Sequence, residues 1–290
     1  MNDTLRVALP KGRMQDGVLS LLGEAGVQVS STARSYRPVV NMPGWDIKVL
    51  KPQNILEMLH LGSRDVGFAG HDWVHELGLD EQDGLIELLD TGLDPVRVVA
   101  AAPTAIVEEG VLPARKLVIA SEYQRVTKRW IAQRGHDDIF VRTYGATEVF
   151  PPEDADCIVD NTATGATLRS NGLVIVDELM RSSTRLFANA RSMDHPAKRK
   201  QVEELVLLME SVLAARSRVM VEVNCQPENL DAIIDVLPCM RQPTIAQLHR
   251  EAGYAVKAAV PRDQLPGVVI ALKEAGGTDV VVSRIAQIVS

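Results

Sequence analysis

The sequence predicts an α/β protein in two parts: a larger body built on a parallel or mixed sheet, and a small C-terminal βαββαβ module. Three observations predict it. Short apolar, β-branched runs alternate with helix-period stretches through most of the chain, the pattern of a sheet covered by helices on both faces. A polar break, "DHPAKRK" at Asp194–Lys200, precedes a long amphipathic helix over Gln201–Ala215. Beyond that helix the order becomes strand, helix, strand, strand, helix, strand, which is ferredoxin-like. The division falls at 215, giving a body of residues 1–215 and a module of residues 216–290.

The body begins with "LRVAL" (Leu5–Leu9), a buried strand, and after "PKGR" a helix over Gln15–Ala25. "IKVL" is a strand, Pro52 marks a helix start, and "NILEMLHLG" ends on Gly62. "DVGFAG" is a strand that runs into the helix "HDWVHELG". "VRVVAAA" (Val96–Ala102), "KLVIAS", "IFVRTY" and "CIV" are further strands, separated by helical segments such as "YQRVTKRWIAQRG". In the module, "RVMVEVNC", "TIAQLH", "YAVKAAV" and "DVVVSRIAQIV" are strands, and "ENLDAIIDVL" and "DQLPGVVIALKEAGG" are helices.

Composition excludes several classes of function. With 290 residues, 46% of them hydrophobic and 24% charged, the chain is long enough for two or three ordinary globular domains. Aromatics make up only 4%, so the cores must be aliphatic. No apolar run approaches the roughly 20 residues that cross a bilayer. "MNDTLRVALPKGR" lacks a basic segment leading into an apolar core, so no signal peptide is expected. Cys157, Cys225 and Cys239 lack metal-ligand spacing and suit a reducing cytoplasm. A net charge of −7 with no basic stripe argues against a nucleic-acid surface. The same charge means that any phosphate ligand must be held by local cations and backbone amides.

Such local features recur at four βα loops, where ligands of open α/β sheets bind. In "DCIVDNTATGATLRSNGL" the strand ends on Asp160, and Thr162, Ala163, Thr164, Gly165, Ala166 and Thr167 turn into a short helix. Helix-start N–H groups and hydroxyls form an anion cradle, and the acid beside it suits a sugar hydroxyl. Gly165 lets backbone approach a ligand without a Cβ. The same threonines also suit a plain capped turn, and the local pattern does not separate the two. No Gly-Lys-Ser/Thr follows, so this is not a Walker loop. Lys11 and Arg13 flank a glycine after the first strand, against the helix dipole, which favours an anion partner. Lys51 is another cation at a strand end. Asp72 of "GHDW" opens a helix, where it equally suits a cap, and His71 is read as incidental.

These residues resemble the ATP phosphoribosyltransferases, which open histidine biosynthesis. "DCIVDNTATGATLRSNGL" is similar to the family's 5-phosphoribosyl 1-pyrophosphate (PRPP) loop. "RVALPKGR", "DVGFAGHDW", "IASEYQRVTKRW" and "YGATEV" follow in family order, and "RQPTIAQL" resembles the histidine-regulated long form. The resemblance implies a two-lobed body like the type II periplasmic binding proteins, with the active site in the cleft, and an ACT-type regulatory domain. It implies condensation of ATP with PRPP to N1-(5-phosphoribosyl)-ATP and pyrophosphate, with Mg²⁺ required and its protein ligands unknown. Asp160 and Thr162–Thr167 would hold PRPP, and Lys11, Arg13 and Lys51 would face the phosphates. Asp72, Tyr123 and Glu148 would line the nucleotide site, and Asn224, Thr244 and Ala246 would serve histidine as feedback inhibitor. A cytoplasmic homo-oligomer, dimer or hexamer, follows from the same resemblance, with neither membrane nor nucleic acid as partner. Gln124 departs from the family's proline after the tyrosine, and Ala146-Thr147 from its usual Ser-Val.

Two rivals share parts of this pattern. A two-lobed small-molecule binding protein would carry a secretion signal. Another phosphoribosyltransferase would usually place two adjacent acids before the Thr-Gly turn, whereas Asn161 follows Asp160 here. A catalytically dead regulatory paralogue is a third reading, against which the intact loop and cations speak.

Overall fold

The computed structural model describes residues 3–30, 36–238 and 242–289. Cys239, and Arg241 at the head of "RQPTIAQL", lie outside them. Two compact units emerge: Met1–Ser20 with Val27–Glu203, and Leu21–Gly26 with Glu204–Ser290. Among the described residues no helix is long and apolar enough to cross a membrane.

The first unit is built on β1 (Leu5–Pro10), α1 (Met14–Glu24), which runs on into the second unit, the short pair β2 (Val29–Ser30) and β3 (Val39–Val40), β4 (Trp45–Leu50) and α2 (Pro52–His60). It continues through β5 (Val66–Gly70), α3 (His71–Leu77), β6 (Leu85–Pro103), β7 (Val118–Ser121) and α4 (Gln124–Arg134). Then come β8 (Ile139–Arg142), β9 (Cys157–Thr162), α5 (Ala166–Ser170), β10 (Leu173–Asn189), α6 (Ala190–Met193) and the start of α7 (Pro196–Arg216). Eight strands make one mixed sheet in the order β4-β1-β5-β10-β6-β9-β7-β8. β1 pairs in parallel with β4 and β5, and β7 in parallel with β8 and β9. The antiparallel β6 and β10 join these two parallel halves, so the body has two lobes on one continuous sheet.

Period-2 alternation explains why both faces are covered. Val98, Ala100 and Ala102 of β6, with Cys157 and Val159 of β9, pack into one cluster with Ile55 of α2, Trp130 of α4 and Tyr123, which precedes α4. Their neighbours Val99, Ala101 and Ile158 face the other way, against Leu168 of α5. A strand buried on both sides needs apolar residues at every position, which is why these runs read as continuous. The strand predicted over Val96–Ala102 is only the C-terminal part of a 19-residue β6. Its partner β10, 17 residues long, has several register shifts along the pairing, and these break the alternation that would mark a strand.

The second unit contains β11 (Arg218–Cys225), α8 (Leu230–Val236), β12 (Thr244–Gln247), β13 (Tyr254–Pro261), α9 (Leu265–Glu274) and β14 (Thr278–Arg284). Their antiparallel sheet runs β12-β13-β11-β14, the ferredoxin-like arrangement the sequence predicts. Val219, Val221, Val223 and Cys225 form its buried face with Ile233 of α8 and Leu272 of α9.

Candidate active site

Parallel pairing assembles the first part of the site. Pro10 lies opposite Leu50 in the β1–β4 register, so Lys11 and Lys51 follow adjacent strand ends, and the Lys11 N–H donates to the Leu50 carbonyl at 2.8 Å. Both lysines and Arg13 are exposed. Lys11 Nζ donates to the Tyr36 hydroxyl at 3.0 Å and lies 4.8 Å from that ring's centre. Nothing in the sequence pattern singles out Tyr36, because it stands 25 residues from its partner.

On the other lobe, β9 runs through Asp160 to Thr162 and α5 begins at Ala166. Gly165, at the N-cap position, has φ of +74°, a left-handed value that disfavours other residues, so the turn itself requires glycine. Two threonine hydroxyls are spent inside the turn: Thr162 Oγ1 accepts from Gly165 N–H at 2.9 Å, and Thr164 Oγ1 from Ala166 N–H at 3.3 Å. The turn is therefore self-capped, yet still open. Ala163, Thr164, Ala166 and Thr167 are exposed, and the N–H groups of Ala163, Thr164 and Thr167 donate to nothing among the described residues.

Asp160 is the electrostatic centre. Burial pushes its carboxyl up to about 6; Glu148 and Glu122 add to the rise, while Asn161 N–H and Arg13 oppose it. Arg13 follows β1 in the first lobe and Asp160 lies on β9 in the second, and the Arg13 charge acts on the Asp160 carboxyl. The sequence reading did not single out Glu122, whose charge acts on Asp160, although it lies inside the quoted "IASEYQRVTKRW". Among the described residues, no group of three His, Cys, Asp or Glu side chains is placed to hold a metal ion.

Asp72 and Tyr123 meet a different geometry from open groups lining a pocket. Tyr123 is fully buried and donates its hydroxyl to Asp72 Oδ2 at 2.6 Å, and Ser182 Oγ donates to Asp72 Oδ1 at 2.6 Å. Asn161 Nδ2 donates to the Tyr123 hydroxyl at 2.9 Å. Burial beside Asp72 raises the Tyr123 phenol well above its ordinary value, so it remains a donor. Asp72 does not cap α3, whose N-cap is Gly70. These two residues lie beneath the strand ends and tie the lobes together. Beside them is a cavity of about 410 Å³, lined in part by Gln53, Glu57, Trp73, Glu122, Gln124 and Arg142.

Asn224, Thr244 and Ala246 belong to the other sheet. Asn224 pairs with Ala255, which pairs in turn with Ala246, so the two share one row across three strands. Thr244 is two residues along β12 on the same face, and that face is turned away from the Val219–Val223 core.

A two-lobed sheet with an open, glycine-dependent turn beside a half-buried acid, and exposed cations at the strand ends of the other lobe, has the features of enzymes that handle phosphorylated sugars. Family models match on both units: "ATP phosphoribosyltransferase" over residues 51–211 and "HisG, C-terminal domain" over residues 215–287. The chain is 33% identical to an ATP phosphoribosyltransferase of Pelotomaculum thermopropionicum, over 98% of this chain and 99% of that one. It is 34% identical to that of Prosthecochloris aestuarii, over 94% and 93%. A solved ATP phosphoribosyl transferase (HisG:HisZ) complex from Thermotoga maritima superposes with a TM-score of 0.61 and 28% identity, covering 71% of this chain and 99% of that one. The chain is thus a pentosyltransferase. It belongs to the ATP phosphoribosyltransferase family of histidine biosynthesis, in the long form that carries the C-terminal domain, and its substrates are ATP and PRPP.

Proposed function

We propose that the β9–α5 turn is the PRPP site of this enzyme and that the facing strand ends stabilise the departing pyrophosphate. The supporting observation is Asp160, a crowded carboxylate within electrostatic reach of Arg13 and beside a turn with open N–H groups. The turn from Thr162 to Thr167 takes the 5-phosphate, and Asp160 accepts from the ribose hydroxyls. Adenine N1 of ATP attacks C1′; the C1′–N1 bond forms as the bond to pyrophosphate oxygen breaks and its electron pair leaves with pyrophosphate. N1 carries no proton, so alignment and charge stabilisation suffice without a strong base. Lys11, Arg13 and Lys51 neutralise the leaving group. Glu148 borders the nucleotide side, and buried Asp72 and Tyr123 shape it from beneath. Mg²⁺, when bound, would supply further charge neutralisation at the phosphates, and the crowded Asp160, Glu148 and Glu122 would suit a cation carried in on substrate.

Free histidine acts as feedback inhibitor on the outer face of the four-stranded sheet, where Asn224, Thr244 and Ala246 stand. The enzyme works as a cytoplasmic homo-oligomer, dimeric or hexameric. The cation roles are tested by following the ultraviolet change of N1-substituted adenine in Lys11→Ala and Lys51→Ala variants. Each should lose about tenfold or more in kcat. Unchanged rates in both soluble variants would overturn the assignment.

A further inference from the structure

We propose that Glu76 is a positioning residue, whose grip on the start of α4 holds the two lobes together and sets the PRPP turn. Its buried carboxylate accepts three consecutive backbone N–H groups: Gln124 at 2.7 Å and Arg125 and Val126 at 2.8 and 3.2 Å. These are orphan donors of the first turn of an 11-residue helix, where a negative charge is also favoured by the helix dipole. The carboxylate comes from α3, which follows β5 in one lobe, whereas α4 follows β7 in the other.

Asp72 and Glu76 are four residues apart on α3 and so share one face. Asp72 takes the Tyr123 hydroxyl and Glu76 takes the next three amides, so one helix face grips residues 123–126. Trp73 stacks on Tyr123 with ring centres 4.9 Å apart. Arg125 crosses Gly78, where a Cβ would come within 2.7 Å of its guanidinium, and reaches Glu81; Arg129 pairs with Glu81 as well. The gripped turn carries Glu122, which acts on the Asp160 carboxyl, and Tyr123, whose hydroxyl receives Asn161 next to Asp160. The path from Glu76 to the sugar acid is therefore continuous.

This inference rests on the PRPP reading of Asp160. Two substitutions test it by steady-state kinetics at varied PRPP. Glu76→Gln replaces the carboxylate with an isosteric amide whose NH₂ cannot accept. Glu76→Ala removes the acceptor altogether. Both should raise the PRPP KM about fivefold or more while kcat stays within about threefold. Folded variants with a PRPP KM within about twofold of wild type, or with losses confined to kcat and melting temperature, would overturn the proposal. Asp160→Asn, measured alongside, separates the two ideas. A normal PRPP KM there removes the sugar site and the grip with it. An impaired Asp160→Asn with normal Glu76→Gln and Glu76→Ala removes only the grip.

Discussion

Asp160 is held ionised at neutral pH against its surroundings. Burial, then Glu148 and Glu122, push its carboxyl up to about 6, above the roughly 3.9 of an unfolded aspartate. The folded protein therefore binds this proton more tightly than the unfolded chain, and stability falls as pH rises between those two values. Asp160→Asn removes that cost. It should raise stability by about 1–3 kcal/mol at pH 7.5 and by little near pH 4, as read by thermal melting at the two pH values. Function should move the opposite way: kcat/KM for PRPP in the wild type should fall as pH drops through about 6, and the substrate's own phosphates titrate equally in both proteins. A wild-type profile with no acid limb beyond that of Asp160→Asn would exclude the ionised carboxylate from binding. The acid and its turn are legible in sequence because their determinants are local: an apolar run, one acid, and a glycine that the left-handed N-cap demands. Tyr123 is not legible in this way. Its burial depends on Asp72 and Asn161, which lie 51 and 38 residues away.

At the scale of elements, the ends of β1 and β5 are pinned to α6 and α7 by Asp65. Its carboxylate accepts from Arg6, Ser192 and Lys198 at 2.7 to 3.0 Å, and these partners hold it well below the usual carboxylate range despite burial. This depression contributes stability above the unfolded pKa and is lost as pH falls through the folded one. Asp65→Asn strands Lys198, itself buried, without its counter-charge, and should cost about 3–5 kcal/mol. A chemical-denaturation midpoint close to wild type would show that this cluster contributes little. Here the strands are readable from apolar runs, but the ionic pin is not, since its members come from residues 6, 65, 192 and 198. β6 and β10 were obscured for a related reason. Pro95 and the left-handed Gly92 and Asp94 punctuate β6, so half of a 19-residue strand reads as loop until its partner is present.

At the scale of the molecule, the residues proposed for catalysis and for regulation lie on separate sheets. The face carrying Asn224, Thr244 and Ala246 shares no strand with the turn proposed for PRPP. The proposed regulation is that histidine bound there favours a less active arrangement, with a coupling of about 1–3 kcal/mol. Full-length enzyme should therefore lose activity at millimolar histidine without competing with PRPP, and an active form truncated after Ala215 should not respond. Equal sensitivity in both would place the inhibitor in the cleft. The order of the module is legible from its six short elements, whereas the row joining Asn224 to Ala246 appears only with the strand register. The most direct measurement of how the cleft works is product formation from ATP, PRPP and Mg²⁺ by wild type and Asp160→Asn, read by the ultraviolet absorbance of N1-substituted adenine as PRPP is varied. With the sugar on Asp160, the variant should lose about 1–3 kcal/mol of transition-state stabilisation, or roughly tenfold to a hundredfold in kcat/KM for PRPP. An Asp160→Asn enzyme with the wild-type PRPP dependence would place the sugar elsewhere.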